Sequence, residues 1–294
     1  MRLRLIISAL IGVASGTLCW YWLDRSGLGA GDFRWAIWAA QDLLTHRDPY
    51  LNPQQLYPLP SAIFGLPFIG MRPSVAGGIY YGISSALLSF GISRYGLHRL
   101  LIFFAYPYWA GLIEAQWTPL ILASAFLSFL LPATLAKPQS GLPILLTAST
   151  KRGLLLSAAI LALSLIIMPA WPWHWIANLG RYNRFVPLLV FPGPIIALAV
   201  LRYRKRDARM LLVSALMPQR WFYDAFILWC IPKSRREIIW TVFFSWGAGI
   251  LRWHRFPHSF TEAGRWSVLF LYLPMLAVVL LRGQDGDESE PAHS

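Results

Sequence analysis

The run "LIISALIGVASGTLCWYWL", residues 5–23, decides how the chain is read. It carries no charged side chain and reaches the ~20 residues needed to cross a bilayer. The basic start "MRLR" resembles the n-region of a signal peptide, but a signal h-region stops at roughly 7–15 residues. Residues 5–23 therefore read as an uncleaved first span. The rest of the chain is of the same kind, with 56% hydrophobic and 13% charged residues. Soluble domains carry roughly a quarter charged. Spans are expected near 73–93, 98–113, 117–136, 153–170, 185–201, 236–251 and 266–282. A shorter pair, 208–218 and 221–232, reads as a thinned or re-entrant hairpin around Pro218. The expectation is an all-α polytopic membrane protein of about ten transmembrane or re-entrant helices. One domain covers 1–282, and 283–294 is an acidic, disordered tail. No internal repeat is visible.

A net charge of +13 would point to nucleic acid in a soluble chain. In a membrane protein, Lys and Arg orient the spans and concentrate in the cytoplasm. With the N-terminus inside, the inner side receives Arg2, Arg4, Arg94, Arg99, Lys137, Lys151, Arg152, "RYRKRDAR" (202–209), Lys233, Arg235, Arg236 and Arg282. The outer side keeps Arg25, Arg34, Arg47, Arg72, Arg181, Arg184, Arg220, Arg252, Arg255 and Arg265. That is more than orientation needs, and an anionic ligand is one explanation. Cys19 and Cys230 lie in apolar runs, so they suggest neither a disulfide framework nor a metal site.

The first outer loop, 24–59, is a polar island. In "GDFRWAIWAAQDLLTHRDPYLNPQQLYPLP" (31–60), Phe33, Ile37, Ala40, Leu43 and Leu44 recur at helical spacing, with Trp35 and Trp38 alongside. This predicts an amphipathic helix lying in the membrane interface. Asp32 precedes it and has two readings, a helix N-cap or a carboxylate at a surface site. Tyr50 and Tyr57 bracket a Pro-rich return to the membrane. A carboxylate in such a setting can take a proton from a sugar hydroxyl.

These residues resemble the first outer loop of GT-C glycosyltransferases, most closely the family 87 branch of polyprenol-phosphate-dependent mannosyltransferases. The match runs through Asp32-Phe33, "AIWAAQDLL", "RDPY" (47–50) and "YPLP" (57–60), with Arg47 and Leu59 replacing the family's Gly and Pro. It continues in "EAQWTPLILA" (114–123), "LAKPQSGLPILL" (135–146) and "LMPQRWFYDAFIL" (216–228), where Tyr223 stands in place of a common His. The likeness covers roughly residues 30–230, in the family's order.

The resemblance implies an inverting transferase that takes a sugar, commonly mannose, from a polyprenyl-phosphate donor. The acceptor is a lipid or glycan on the outer face of a bacterial inner membrane. It implies Asp32 as general base and outer arginines at the departing phosphate, with Arg220 beside Trp221, Arg181 and Arg184, and Arg252 and Arg255 as candidates. Tyr50, Tyr57, Asp48, Gln116, Tyr223 and Lys137 complete the expected substrate-binding set. Glu114 either lines the site or caps a helix, and Lys137 is expected on the inner side. Arg252, Arg255 and Arg265 have a second reading as residues snorkelling to headgroups, and His174 reads as the neighbour of a Trp anchor. No cofactor and no dedicated metal spacing is expected, although the outer carboxylates leave room for a loosely held divalent ion. The expected partners are the donor, the acceptor and membrane lipids, not nucleic acid, and the expected state is a monomer. Two alternatives stand beside the enzyme: a lipid or polyprenyl-phosphate flippase, and a non-catalytic scaffold of the same fold. A flippase would mark its path with ionisable residues inside spans, and here most spans are charge-free.

Overall fold

The computed structural model describes residues 1–180 and 184–282, and every regular element among them is helical. The tail expected at 283–294, and Arg181, lie outside the described residues. Helix α1 (Arg2–Ser26) leads into the first loop, which folds into α2 (Arg34–Leu44) and α3 (Ala62–Gly65) before α4 (Pro73–Ile92). Helices α1 and α4 lie against each other over their whole lengths. Arg4 bonds Ser93 Oγ (3.1 Å) at one end, and Asp24 pairs with Arg72 (2.8 Å) at the other. Two G-x-x-x-G runs, Gly12/Gly16 and Gly78/Gly82, make the contact. A Cβ on Gly16 would stand 2.9 Å from the Gly78 carbonyl, and one on Gly82 would stand 2.8 Å from that of Gly12. In lipid, water does not drive helices together, so such close backbone packing must hold them.

After α4 the helices shorten. The chain passes through a 3₁₀ run (Leu97–Phe104), α5 (Tyr106–Leu112), α6 (Thr118–Ser124), a second 3₁₀ run (Ser128–Leu135) and α7 (Pro138–Ala148). Helices α8 (Lys151–Ile167) and α9 (Trp171–Leu179) follow, bent by 96° at the break between them. A 3₁₀ run (Gly193–Arg202) then precedes α10 (Arg206–Leu216), which pairs with a further one (Phe222–Cys230). Last come α11 (Arg235–His254), α12 (Phe260–Ser267) and α13 (Leu273–Leu281), the final two joined by a π-helical turn at Val268–Tyr272. Arg2–Ser26, Pro73–Tyr95 and Phe260–Leu281 are long and apolar enough to cross a membrane, and the bent pair α8–α9 is a fourth candidate.

Segment 117–136 departs from a straight span. Lys137 Nζ donates to Gln116 Oε1 at 2.8 Å, whereas a continuous helix of that length would separate the two by ~30 Å. The chain instead breaks at 125–127 and turns back. Near its tip, Phe126 and Leu127 lie against Gly91, at the far end of α4. The inner placement of Lys137 is thereby corrected, because the hairpin returns it to the level of Gln116. The pair α10 and Phe222–Cys230 forms a second hairpin, as the sequence predicts. The two hairpins meet where Lys137 pairs with Asp224 (2.6 Å).

Several of the basic residues expected on one side gather at one end of the bundle. Arg282 bonds Asp207, Glu237 and the Ile231 carbonyl; His98 contacts the Lys233 carbonyl; and Arg99 donates to that of Pro232. Since residues 98–99 follow α4, this is the end remote from Asp24 and Arg72.

Candidate functional site

Asp32 lies in a 3₁₀ turn (Gly31–Phe33) that runs directly into α2. Gly31 has φ +58°, and a Cβ there would collide with the Glu114 carbonyl. This close approach lets the Asp32 N–H donate to Glu114 O at 2.8 Å. The capping reading of Asp32 fails, because Phe33 occupies the N-cap of α2 and no side chain caps that helix. The carboxylate is instead held by two side chains. Tyr57 Oη donates to Asp32 Oδ2 at 3.0 Å, and Gln116 Nε2 donates to the same oxygen.

Each donor is itself fixed. Asp48 accepts from Tyr50 N (2.8 Å) and so caps the turn at Pro49–Leu51, while Tyr50 Oη donates to the Tyr57 carbonyl (3.2 Å). Helix α9 clamps the same loop. Trp175 Nε1 donates to Leu56 O (2.8 Å), Asn178 reaches the carbonyls of Tyr50, Asn52 and Gln55, and His174 meets Asp48 at 2.7 Å. Tyr50, Asp48 and His174 therefore support the loop and leave the cavity lining to others. Gln116 is fully buried, and its amide has one sensible orientation. Ammonium can only donate, so the carbonyl faces Lys137 and the NH₂ faces Asp32. Lys137 in turn pairs with Asp224, with side chains 3% and 1% exposed. Asp224 Oδ2 accepts from Arg220 N (2.9 Å). Asp32, Gln116, Lys137 and Asp224 thus form one chain of polar contacts across both hairpins.

Beside that chain lies a cavity of about 470 Å³ lined by Asp32, Trp35, Tyr57, Lys137, Gln139, Arg220 and Tyr223, with Pro53, Gln54 and Leu56 at its side. Its volume falls in the small-molecule range of roughly 300–1,000 Å³. The Lys137 ammonium also sits 4.8 Å from the centre of the Tyr223 ring, a cation–π contact. Glu114, in the loop between α5 and α6, has its pKa raised to about 7 by burial and then by the charge of Asp32. The positive charges of Arg252, Arg34 and Arg220 oppose the rise.

Of the residues singled out from the sequence, the fold brings Asp32, Tyr57, Gln116, Lys137, Arg220, Tyr223 and Glu114 together. Trp221 stands at the edge, stacked on by Arg252 (5.7 Å) and ringed by Phe256 and Phe260. Arg252 is therefore held over an aromatic face. Arg255 instead pairs with Glu262, and Arg184 is exposed away from the cavity lining. Sequence reasoning missed Asp224 and Gln139, and it placed Arg34 only among the outer arginines. Asp224 had a readable signal, a lone acid inside the apolar run "FYDAFILWC". Among the described residues no three His, Cys, Asp or Glu side chains are grouped to hold a metal ion. Comparison with protein-family models, curated proteins and solved structures finds no match.

Proposed function

We propose that the chain is an integral membrane glycosyltransferase. It moves a sugar from a polyprenyl-phosphate donor to a hydroxyl of a lipid or glycan acceptor, with inversion at the anomeric carbon. One observation carries the reading: Asp32 Oδ2 holds the bonds from both Tyr57 and Gln116, at a cavity that also carries Arg220 and Lys137. Oδ1 is then the oxygen for a substrate proton. In the reaction the acceptor O–H gives its proton to Oδ1 while its oxygen attacks the anomeric carbon. The carbon–oxygen bond to phosphate breaks, and polyprenyl phosphate leaves with the electron pair. Arg220, with Arg34 and Arg252 near Glu114, supplies positive charge where that negative charge develops, a large electrostatic contribution when preorganised. Mannose as the sugar follows from the sequence resemblance alone, and the outer-face orientation from that resemblance and the distribution of basic residues.

The buried Lys137–Asp224 pair favours a second reading, since ionisable pairs inside membrane segments also mark transport paths. Purified protein given a panel of polyprenyl-phosphate sugars and acceptors separates the two. Release of lipid phosphate with formation of a glycoside is expected. Movement of intact lipid-linked sugar across a vesicle, without bond cleavage, would overturn the transferase.

A further inference from the structure

At the end remote from Asp32, a second cavity of about 540 Å³ opens between α11 and α13. Its walls are apolar: Trp240 and Phe244 from α11, and Pro274, Ala277, Val278 and Leu281 from α13. Its end is polar, formed by Ser234, Arg236, Glu237 and Arg282. Among the described residues the positive charges there outnumber the negative ones. Glu237 and Asp207 both accept from Arg282, and Lys233 stands 3.5 Å from Asp207. Arg235 and Arg236 form no ion pair among the described residues, and both are exposed. They also occupy the first turn of α11, where the helix dipole disfavours cations. An anion at this place would offset both costs. The apolar walls continue from that charge along two helices whose exposed faces carry Ile239, Trp240, Phe243 and Leu281.

We infer that this groove is a binding site for an anionic phospholipid, with its phosphate at Arg236 and an acyl chain along Trp240, Phe244 and Ala277. A phosphate takes two parallel bonds from a guanidinium, and lipid-facing grooves in a bilayer are filled by chains. The charge selects which lipid stays, since juxtamembrane basic residues favour anionic headgroups. The site is separate from the Asp32 cavity, so it stands or falls independently of the transferase reading.

The test is native mass spectrometry of the detergent-purified full chain titrated with phosphatidylglycerol or phosphatidylcholine of identical chains. A third arm uses glycerol phosphate, which has the head without the chain. Phosphatidylglycerol is expected to bind at least about tenfold tighter than phosphatidylcholine, with glycerol phosphate not retained. Arg236→Glu should erase the preference for the anionic lipid, and Ala277→Phe, which fills the groove, should weaken both lipids. Both variants are checked for an unchanged unfolding temperature in lipid-free detergent. Equal retention of the two lipids, undiminished phosphatidylglycerol binding in Arg236→Glu, or binding of glycerol phosphate as tight as that of the lipid would overturn the site.

Discussion

Lys137 Nζ lies 2.6 Å from Asp224 Oδ1 with both side chains almost wholly buried, and this pair ties the two hairpins together beside Asp32. Breaking one partner of a buried pair strands the other charge, which typically costs ~3–5 kcal/mol. Lys137→Met should therefore lower the unfolding temperature sharply in detergent. Lys137→Met combined with Asp224→Asn should recover a large part of that loss. Activity should not return in the double variant, because nothing then holds the Gln116 carbonyl and its amide is free to turn away from Asp32. A double variant as unstable as the single one would show that the pair does not join the hairpins in this way.

Gln116 gives a narrower prediction. Gln116→Leu keeps the bulk but removes the donor to Asp32 and leaves Lys137 short of one acceptor. A buried group deprived of its partner costs roughly 1–3 kcal/mol, so a modest loss of stability is expected. Turnover should fall further than donor binding, since the lost bond orients the base. Equal loss in binding and turnover would assign Gln116 to substrate recognition.

The placement of Lys137 shows where sequence reading stops. Residues 117–136 carry no charged side chain, and hydropathy cannot tell a crossing from a hairpin that turns back at 125–127. Asp32, Tyr57, Arg220 and Tyr223 were readable because polar and aromatic residues are conspicuous in such a chain. The fate of Asp32 was not readable: a carboxylate ahead of a helix caps it in most sequences, and here a positive-φ Gly31 and the Glu114 carbonyl pull the turn elsewhere. The stacking of Arg252 on Trp221 was not readable for a related reason: the two are far apart in sequence, and only packing brings α11 to the second hairpin.

Glu114 predicts a pH dependence. Its pKa is raised from 4.5 to about 7, first by burial, so the fold disfavours its charged form. A raised folded pKa contributes stability that is fully present below the unfolded value and is lost as pH rises through the folded one. The unfolding midpoint should therefore fall between about pH 4.5 and about pH 7. Glu114→Gln should flatten that part of the profile. The same variant should remove any inflection near neutral pH in the transfer rate, because a charge no longer appears beside Asp32. An unchanged profile in Glu114→Gln would place the titration elsewhere.

Orientation can be read by labelling. Gln54 and Lys205 are both exposed, and they mark opposite ends of the bundle. In a background with Cys230→Ser, Gln54→Cys should react with an impermeant thiol reagent added from outside, and Lys205→Cys should react only after permeabilisation. The reverse pattern would put the Asp32 cavity on the cytoplasmic face and exclude an outer-face acceptor.

The last prediction concerns Asp32. Asp32→Asn keeps the size of the side chain, and its amide oxygen can still accept from Tyr57 and Gln116 in the place of Oδ2. The amide cannot take up a proton. Since Asp32 caps no helix, the substitution removes no backbone contact, and the unfolding temperature should barely move. General-base catalysis contributes typically ~10²–10⁴-fold, so glycosyl transfer should fall by that factor while donor binding persists. Tyr57→Phe provides the control on the same oxygen. It removes one bond to Oδ2 but leaves the proton acceptor, and should cost much less than Asp32→Asn. If Asp32→Asn transfers sugar at the parent rate, the base lies elsewhere, and Glu114, whose pKa of about 7 suits proton transfer at neutral pH, is the residue to replace next.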